Sequence, residues 1–353
     1  MIISRTPYRL SFFGGGTDYP GWYLQNGGQV LSTTIDKYCY LTLRYLPPFF
    51  EHRTRVVYSR IESVKSIDEI QHPAVRECLR YLNFTHGLEI HHDGDLPARS
   101  GMGSSSSFTV GLLHALYALR GCMRSKMQLM NEAIHVEQDM IKETVGSQDQ
   151  AAAAYGGFNH IIFHRTGEIE VRPLPLRRSR LQDLSEHLML FYTGIMRTAS
   201  EVAKSYVEDI QSKEFRLKRM HAMVDEGIEL LAGDGCICKF GELMNEAWEA
   251  KRGLSSKVSN GTVDDLYNRA RNAGAIGGKI AGAGGGGFLM LFVPPSSQTR
   301  VREELGELLH VPFRFESNGS QIILYDPKLD DFRHIQDERE DRALQCFREL
   351  STL

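Results

Sequence analysis

No apolar run in this chain is long enough to cross a bilayer: the longest stretches, such as Phe288 to Val293, fall far short of the ~20 residues that a spanning helix needs. The start, MIISRTPYRLSFFGGG, lacks a basic segment followed by a long apolar one, so the expectation is a cytoplasmic chain, neither exported nor anchored. A large excess of one charge is also missing. The formal net charge is −3, with 24% charged and 42% hydrophobic residues, a composition of a globular protein and not of a polyanion binder. Nucleic acid and membrane are thereby set aside as partners. Cysteine is scarce: of Cys39, Cys78, Cys122, Cys236, Cys238 and Cys346, only Cys236 and Cys238 are close. A lone C-x-C without a second pair or neighbouring histidines gives no reason to expect a structural metal. Internal repeats and low-complexity linkers are absent, as is the G-x-x-x-x-G-K-[ST] signature of P-loop nucleotidases.

What is present is enough chain for two domains. A length of 353 residues exceeds one ordinary core, and the proline- and arginine-rich PLPLRRSR around 173–180 breaks the pattern, placing the expected boundary between 1–183 and 184–353. In the first part, 1–13 and 29–46 are rich in β-branched and aromatic side chains and read as strands, as does Leu88 to His92. Helices are expected from about Ser105 to Leu119 and from Lys126 to Glu143, and GFNHIIFHRTGEIEVRPL reads as a hairpin with its tip at Arg165 to Glu168. In the second part a strand, His187 to Tyr192, precedes amphipathic helices over 200–231 and 239–252 and a strand at Gly287 to Val293. Strands and helices interleave without a Rossmann-type repeat, so the class is α+β.

Four sets of residues carry chemistry, with Glu137 and Asp149 taken as one pair. PARSGMGSSSS, Pro97 to Ser107, stands between a strand and a helix. Gly101 and Gly103 let backbone approach a ligand, and the unpaired N–H groups of the next helical turn form an anion site, with hydroxyls of Ser104 to Ser106 as further donors or a Mg²⁺ ligand. It is a near miss to the dinucleotide fingerprint, but no acid follows about twenty positions on, at Gly121 to Arg124. Glu137 falls in the apolar stripe of its helix; it is either an edge position that snorkels or a ligand whose charge a bound Mg²⁺ meets. Asp149, in VGSQDQAAAAYGG, reads alone as an N-cap and, with Glu137, as the second acid of a phosphoryl-transfer site. Arg9 and GGGTDYP, Gly14 to Pro20, are a tight turn or a sugar site in which Gly16, Thr17 and Asp18 face the substrate. The fourth, GGKIAGAGGGGF (Gly277 to Phe288, including Gly285), has more glycine than a hairpin needs, which argues for backbone contact with another group.

Taken together, these stretches resemble the GHMP kinases, with TPYRLSFFGGGTDYP, PARSGMGSSSS and GGKIAGAGGGGF in the family's order over nearly the whole chain. FYTGIMRTAS and WEAKRGLS look most like the branch that phosphorylates a mannoheptose 7-phosphate at its anomeric carbon. The resemblance implies a ribosomal-protein-like N-terminal domain and a ferredoxin-like C-terminal domain with ATP in the cleft. By motif position, Pro97, Ser100, Gly101, Met102, Gly103, Ser104, Ser105 and Ser106 bind ATP, and Ser105 and Glu137 meet Mg²⁺. Asp149 is the base on the acceptor hydroxyl and Arg9 stands beside it. Arg197, Lys204, Lys251 and Lys257 are the cations offered to a substrate phosphate. Alternatives are a kinase for fucose or galactose, or a sugar and ATP sensor without turnover. Two departures stand out: the Glu137 to Asp149 interval is one residue longer than in mevalonate kinases, and SSSS replaces the usual serine-serine-alanine. Oligomeric state is not set by the sequence, and a homodimer is left open.

Overall fold

The first strand, β1 (Ile2–Phe13), is buried over most of its length and runs antiparallel to the 18-residue β2 (Gly28–Tyr45), the short helix α1 (Pro20–Asn26) turning the chain between them. The structure is a computed structural model that describes residues 1–47, 49–195, 199–207 and 211–326. Next come the hairpin β3 (Thr54–Val57) and β4 (Ile61–Val64), helix α2 (Pro73–Tyr81) and strand β5 (Leu88–Gly94). Helix α3 (Ser104–Leu119) follows, then α4 (Lys126–His135), α5 (Gln148–Tyr155) and the expected hairpin, β6 (Phe158–Phe163) with β7 (Ile169–Pro173).

The second part begins with α6 (Arg178–His187), β8 (Leu188–Tyr192) and helices α7 (Ala199–Val207), α8 (Glu214–Ala232), α9 (Cys238–Arg252) and α10 (Gly261–Asn272). It continues through β9 (Gly277–Ile280), β10 (Phe288–Phe292), α11 (Gln298–Glu304) and the short strands β11 (Leu309–His310), β12 (Phe315–Glu316) and β13 (Gln321–Tyr325).

Two sheets result. In one, β11, β8, β10 and β9 lie side by side, antiparallel throughout, with α9 packed on β9. In the other, β2 is the spine: β1 pairs along one side, while β6, β12 and β5 share the other in succession. Such sharing is possible because β2 is long enough to present separate stretches of unpaired N–H and C=O groups to three partners. The chain returns at its end. β12 pairs with β2 and β13 with the free edge of β1, so residues beyond the expected boundary at 183/184 complete the first sheet.

Helix α3 crosses β1 and β2 and is buried on nearly every face, as its run FTVGLLHALYAL requires. The expected helix 126–143 is shorter. After His135 the chain makes one wide turn over Val136–Met140, closed by Ile141 N–H to Val136 C=O at 2.9 Å, and leaves the helix through Lys142 at φ 62°. Between the sheets, Phe12 and Phe13 at the end of β1 meet Phe240 of α9 edge-on, with ring centroids 5.4 and 5.0 Å apart. This aromatic seam holds the end of β1, three residues after Arg9, against the second part.

Candidate active site

Helix α3 starts at Gly103, whose backbone is left-handed (φ 76°, ψ 23°). A side chain is strained in that conformation, and a Cβ there would also crowd Arg9 Cγ at 3.1 Å. The first intrahelical bond is Ser107 N–H to Gly103 C=O, so the N–H groups of Ser104, Ser105 and Ser106 are the free donors of the first turn. They open on a cavity of about 220 Å³ that Gly101, Gly103, Ser104, Ser105 and Ser106 line from one side. Gly282 and Ala283 of the glycine-rich turn between β9 and β10 close it from the other. The two loops touch: Gly101, at φ 81°, lies where a Cβ would be 2.4 Å from the carbonyl oxygen of Ala281. Of the other residues expected to bind ATP, Pro97, Ser100 and Met102 do not line this cavity: Pro97 is exposed, while Ser100 and Met102 are buried, the Met102 carbonyl accepting from Arg9 N–H.

Arg9 and Asp149 form a two-pronged ion pair, Nε to Oδ1 at 2.7 Å and Nη2 to Oδ2 at 2.9 Å. Nη1 donates to the Gly101 carbonyl at 2.7 Å, so one guanidinium ties the carboxylate to the phosphate loop. The side chain of Arg9 is 5% exposed and that of Asp149 24%, which leaves the carboxylate as the member open to the cavity.

Glu137 is fully buried and does not itself line the cavity. Oε1 accepts from Ser105 Oγ at 3.2 Å and Thr109 Oγ1 at 2.9 Å; Oε2 accepts from Ser106 Oγ at 2.8 Å and from the Gln150 amide. The four donors are all neutral. Burial therefore dominates and pushes the Glu137 carboxyl up to about 7, against the pull of the Ser106, Thr109 and Gln150 hydrogen bonds. A carboxylate and hydroxyl oxygens without a cation are a donor set that suits a hard divalent ion, and Ser105 bridges from Glu137 to the cavity wall. Because the folded protein holds this proton more tightly than the unfolded chain, stability is lost as pH rises from about 4.5 through about 7, by on the order of 3 kcal/mol. Glu137→Gln should remove that component, flattening the fall in urea midpoint between pH 5 and pH 8; an unchanged fall would show that Glu137 carries no uncompensated charge.

The turn after β1 supplies the far wall. Asp18 is buried, with Oδ1 accepting from Gly16 N–H at 2.8 Å and Oδ2 from the Gln148 amide at 2.9 Å, and burial raises its carboxyl in spite of those two donors. Gly15, Gly16 and Asp18 line the cavity beside Ser11 and Gln148. Ser11 Oγ and Gln148 Oε1 are buried without a hydrogen-bond partner, the condition of groups that a polar ligand would satisfy. Thr17, expected to face substrate, does not: its hydroxyl donates to the Gly14 and Gln29 carbonyls and accepts Gln29 N–H, locking the turn to β2. Gly285 is likewise outside, its N–H bonded to the Val258 carbonyl at 2.7 Å and its own carbonyl to Asn260.

Of the four cations offered to a substrate phosphate, Arg197 lies outside the described residues. Lys204 and Lys257 are exposed and do not line the cavity; Lys251 does line it, buried at 4% exposure. Sequence reasoning missed Lys279, buried on β9 with its ammonium donating to the Ser11 and Phe12 carbonyls at 2.9 and 3.1 Å. A lysine between glycines and isoleucine in a strand was the available signal, since a buried ammonium needs partners. It also missed Arg99 and Glu143, which line the rim. Glu143 became available when the helix ended early.

Residues 69–157 match the model described as GHMP kinases N terminal domain and residues 229–311 the one described as GHMP kinases C terminal. A D-glycero-alpha-D-manno-heptose 7-phosphate kinase of Campylobacter jejuni is 28% identical over 340 residues, 91% of this chain and 99% of that protein. An L-fucokinase/L-fucose-1-P guanylyltransferase of Bacteroides fragilis is 26% identical over 87% of this chain, but over only 36% of its own greater length. The solved structure of a D-glycero-D-manno-heptose 1-phosphate kinase from Bacteriodes thetaiotaomicron shares the fold at a TM-score of 0.75, with 24% identity, covering 92% of this chain and 100% of that one. With both domain models matched in order along the chain, it belongs to the GHMP kinases, enzymes that transfer phosphate to an alcohol.

Proposed function

We propose that this kinase transfers the γ-phosphoryl group of Mg·ATP to the anomeric hydroxyl of a heptose 7-phosphate. The observation that carries the reading is that the carboxylate of Asp149, the free N–H groups of Ser104 to Ser106 and the Asp18 turn all open on one cavity. In this reading the N–H groups hold phosphate oxygens, Arg9 fixes Asp149, and Asp149 orients the acceptor hydroxyl and takes its proton as the new bond forms. Asp18, Gln148 and Ser11 bind sugar hydroxyls. Ser105 and Glu137 would hold Mg²⁺, which when bound neutralises charge on the phosphates. Heptose is favoured over fucose because the match to the Campylobacter jejuni heptose 7-phosphate kinase spans nearly all of both chains. A sensor without turnover is disfavoured, since such a protein has no need of an acid clamped by an arginine at the end of the anion site.

The test is a coupled ADP-release assay with heptose 7-phosphate, its unphosphorylated heptose, fucose, galactose and mevalonate. Heptose 7-phosphate should give a kcat/KM at least ~10-fold above the others, a difference of about 1.4 kcal/mol. The product phosphate should be released by mild acid, as an anomeric phosphate is. Preference for fucose or galactose would replace the substrate assignment, and no ADP release with any sugar would support the sensor.

A further inference from the structure

Lys251 stands in the last turn of α9 and lines the cavity, yet it has no carboxylate partner among the described residues. Its ammonium donates to the Gly282 carbonyl, which uses one of three N–H donors and leaves two with no acceptor among the described residues. The other buried charges beside it have partners. Arg9 is paired with Asp149, Asp18 accepts from Gly16 and Gln148, and Lys279 is held by two carbonyls. A buried ammonium left over in this way is unfavourable until an anion arrives.

Its place in the cavity narrows which anion. Gly282 belongs to the turn that touches Gly101 of the phosphate loop, and Arg9 and Asp149 are both close enough to act on the charge of Lys251. In the phosphoryl-transfer reading, that is the side of the cavity where the reacting hydroxyl and the γ-phosphate meet, and a phosphate carried at the far end of a sugar would lie away from it.

We propose that Lys251 is a catalytic residue whose ammonium contacts the phosphoryl group in flight and neutralises its equatorial oxygens. The acceptor oxygen bonds to the γ-phosphorus as the bond from that phosphorus to the β,γ-bridging oxygen breaks. The bridging oxygen keeps the electron pair and leaves on ADP, and the acceptor proton passes to Asp149. Lys251 keeps its protons throughout and supplies charge where the loose transition state spreads it. This rests on the phosphoryl-transfer reading of the site and not on which sugar is used.

The charged form is the active one, which gives a pH signature. Burial first, then the neighbouring Arg9, lower the Lys251 ammonium to about 8, against Asp18 and Asp149, which raise it. The groups facing it are Arg9 from β1, Asp18 from the following turn, Asp149 from α5 and Lys279 from β9. As pH rises through about 8 in the free enzyme the ammonium is lost and kcat/KM should fall; with anionic substrates bound the same limb should move to higher pH in kcat.

The experiment compares wild type, K251M and K251R with saturating MgATP and whichever sugar the wild type phosphorylates, together with the melting temperature of each. K251M should lose about 10²–10³-fold in kcat with KM for MgATP changed by less than about threefold. K251R should recover at least about tenfold of that loss and show no alkaline limb near pH 8, since guanidinium does not titrate there. Three results would overturn the proposal: a K251M kcat within about threefold of wild type, a loss confined to KM for a phosphorylated sugar and absent with its unphosphorylated form, or a wild-type kcat/KM flat from pH 7 to about 9.5. The last decides the matter even if K251M does not fold. Preference for another sugar in the panel would overturn the substrate assignment and leave this test standing, whereas no turnover of any sugar would overturn the phosphoryl-transfer reading and this proposal with it.

Discussion

Asp149→Asn should lower kcat by roughly 10²–10⁴ while leaving KM for MgATP within about threefold, the pattern of a group that acts on the reacting hydroxyl and not on nucleotide binding. The substitution is nearly isosteric. An asparagine oxygen still accepts from Arg9, so the bond from Arg9 Nη1 to the Gly101 carbonyl, and with it the phosphate loop, should stay in place. What is removed is the proton acceptor. A melting temperature close to wild type would confirm that the loss is chemical. An Asp149→Asn enzyme with unchanged kcat would remove the base from the mechanism, and one with a large rise in KM for MgATP would make Asp149 a structural clamp for the loop.

Gly101→Ala is the second large effect, and it tests the contact between two loops from opposite parts of the chain. The residue sits at φ 81°, and the added Cβ would stand 2.4 Å from the Ala281 carbonyl oxygen, a backbone atom that can move only with its loop. The left-handed backbone and the clash together are expected to destabilise by about 1–3 kcal/mol. More telling is the displacement: parting the loops by about an ångström shifts Gly101 and its carbonyl, the acceptor that holds Arg9, and should reduce kcat/KM by about 10²-fold. The control is Gly121→Ala. That glycine also has positive φ, 71°, but its Cβ would meet nothing within 4 Å, so it should lose about 1 kcal/mol of stability and no activity. Equal activity losses in the two variants would mean that loop contact has nothing to do with catalysis.

The parts of this site that were legible in the sequence are those in which chemistry and local structure share the same few residues. PARSGMGSSSS announces its glycines, its serines and the helix behind it at once, and α3 begins one residue before its expected start. Asp149 and Arg9 were legible as chemistry, and the family resemblance placed them side by side; the two-pronged geometry across 140 residues was not legible, because nothing local in either segment encodes the other. The same limit hid β12 and β13, strands of two and five residues that close the first sheet by pairing with its earliest strands. Thr17 shows the opposite failure. It has the residue type of a sugar ligand, yet its hydroxyl is occupied by two backbone carbonyls, which only the register of β2 against the turn could reveal. Lys279 was passed over as part of a glycine run, although its charge in a strand otherwise made to be buried was the clue.

The end of the second expected helix, 126–143, is instructive in the same way. Apolar spacing carried the helix through Glu143, but the wide turn at Val136–Met140 bonds Ile141 to Val136, so the chain leaves the helix early. Glu137 thereby stays inward among hydroxyl donors while Glu143 reaches the cavity rim, two carboxylates with different surroundings from one short segment.

In the proposed mechanism one triphosphate and one sugar meet where α3 begins. Diffraction from crystals grown with Mg²⁺, a non-hydrolysable ATP analogue and heptose 7-phosphate tests this directly. The terminal phosphate is predicted to lie within hydrogen-bond reach of the N–H groups of Ser104 to Ser106, with the metal held by Ser105 and Glu137 and the anomeric oxygen of the sugar within about 3 Å of an Asp149 carboxylate oxygen. A nucleotide bound with its phosphates away from that helix terminus, or a sugar whose anomeric oxygen faces away from Asp149, would contradict it.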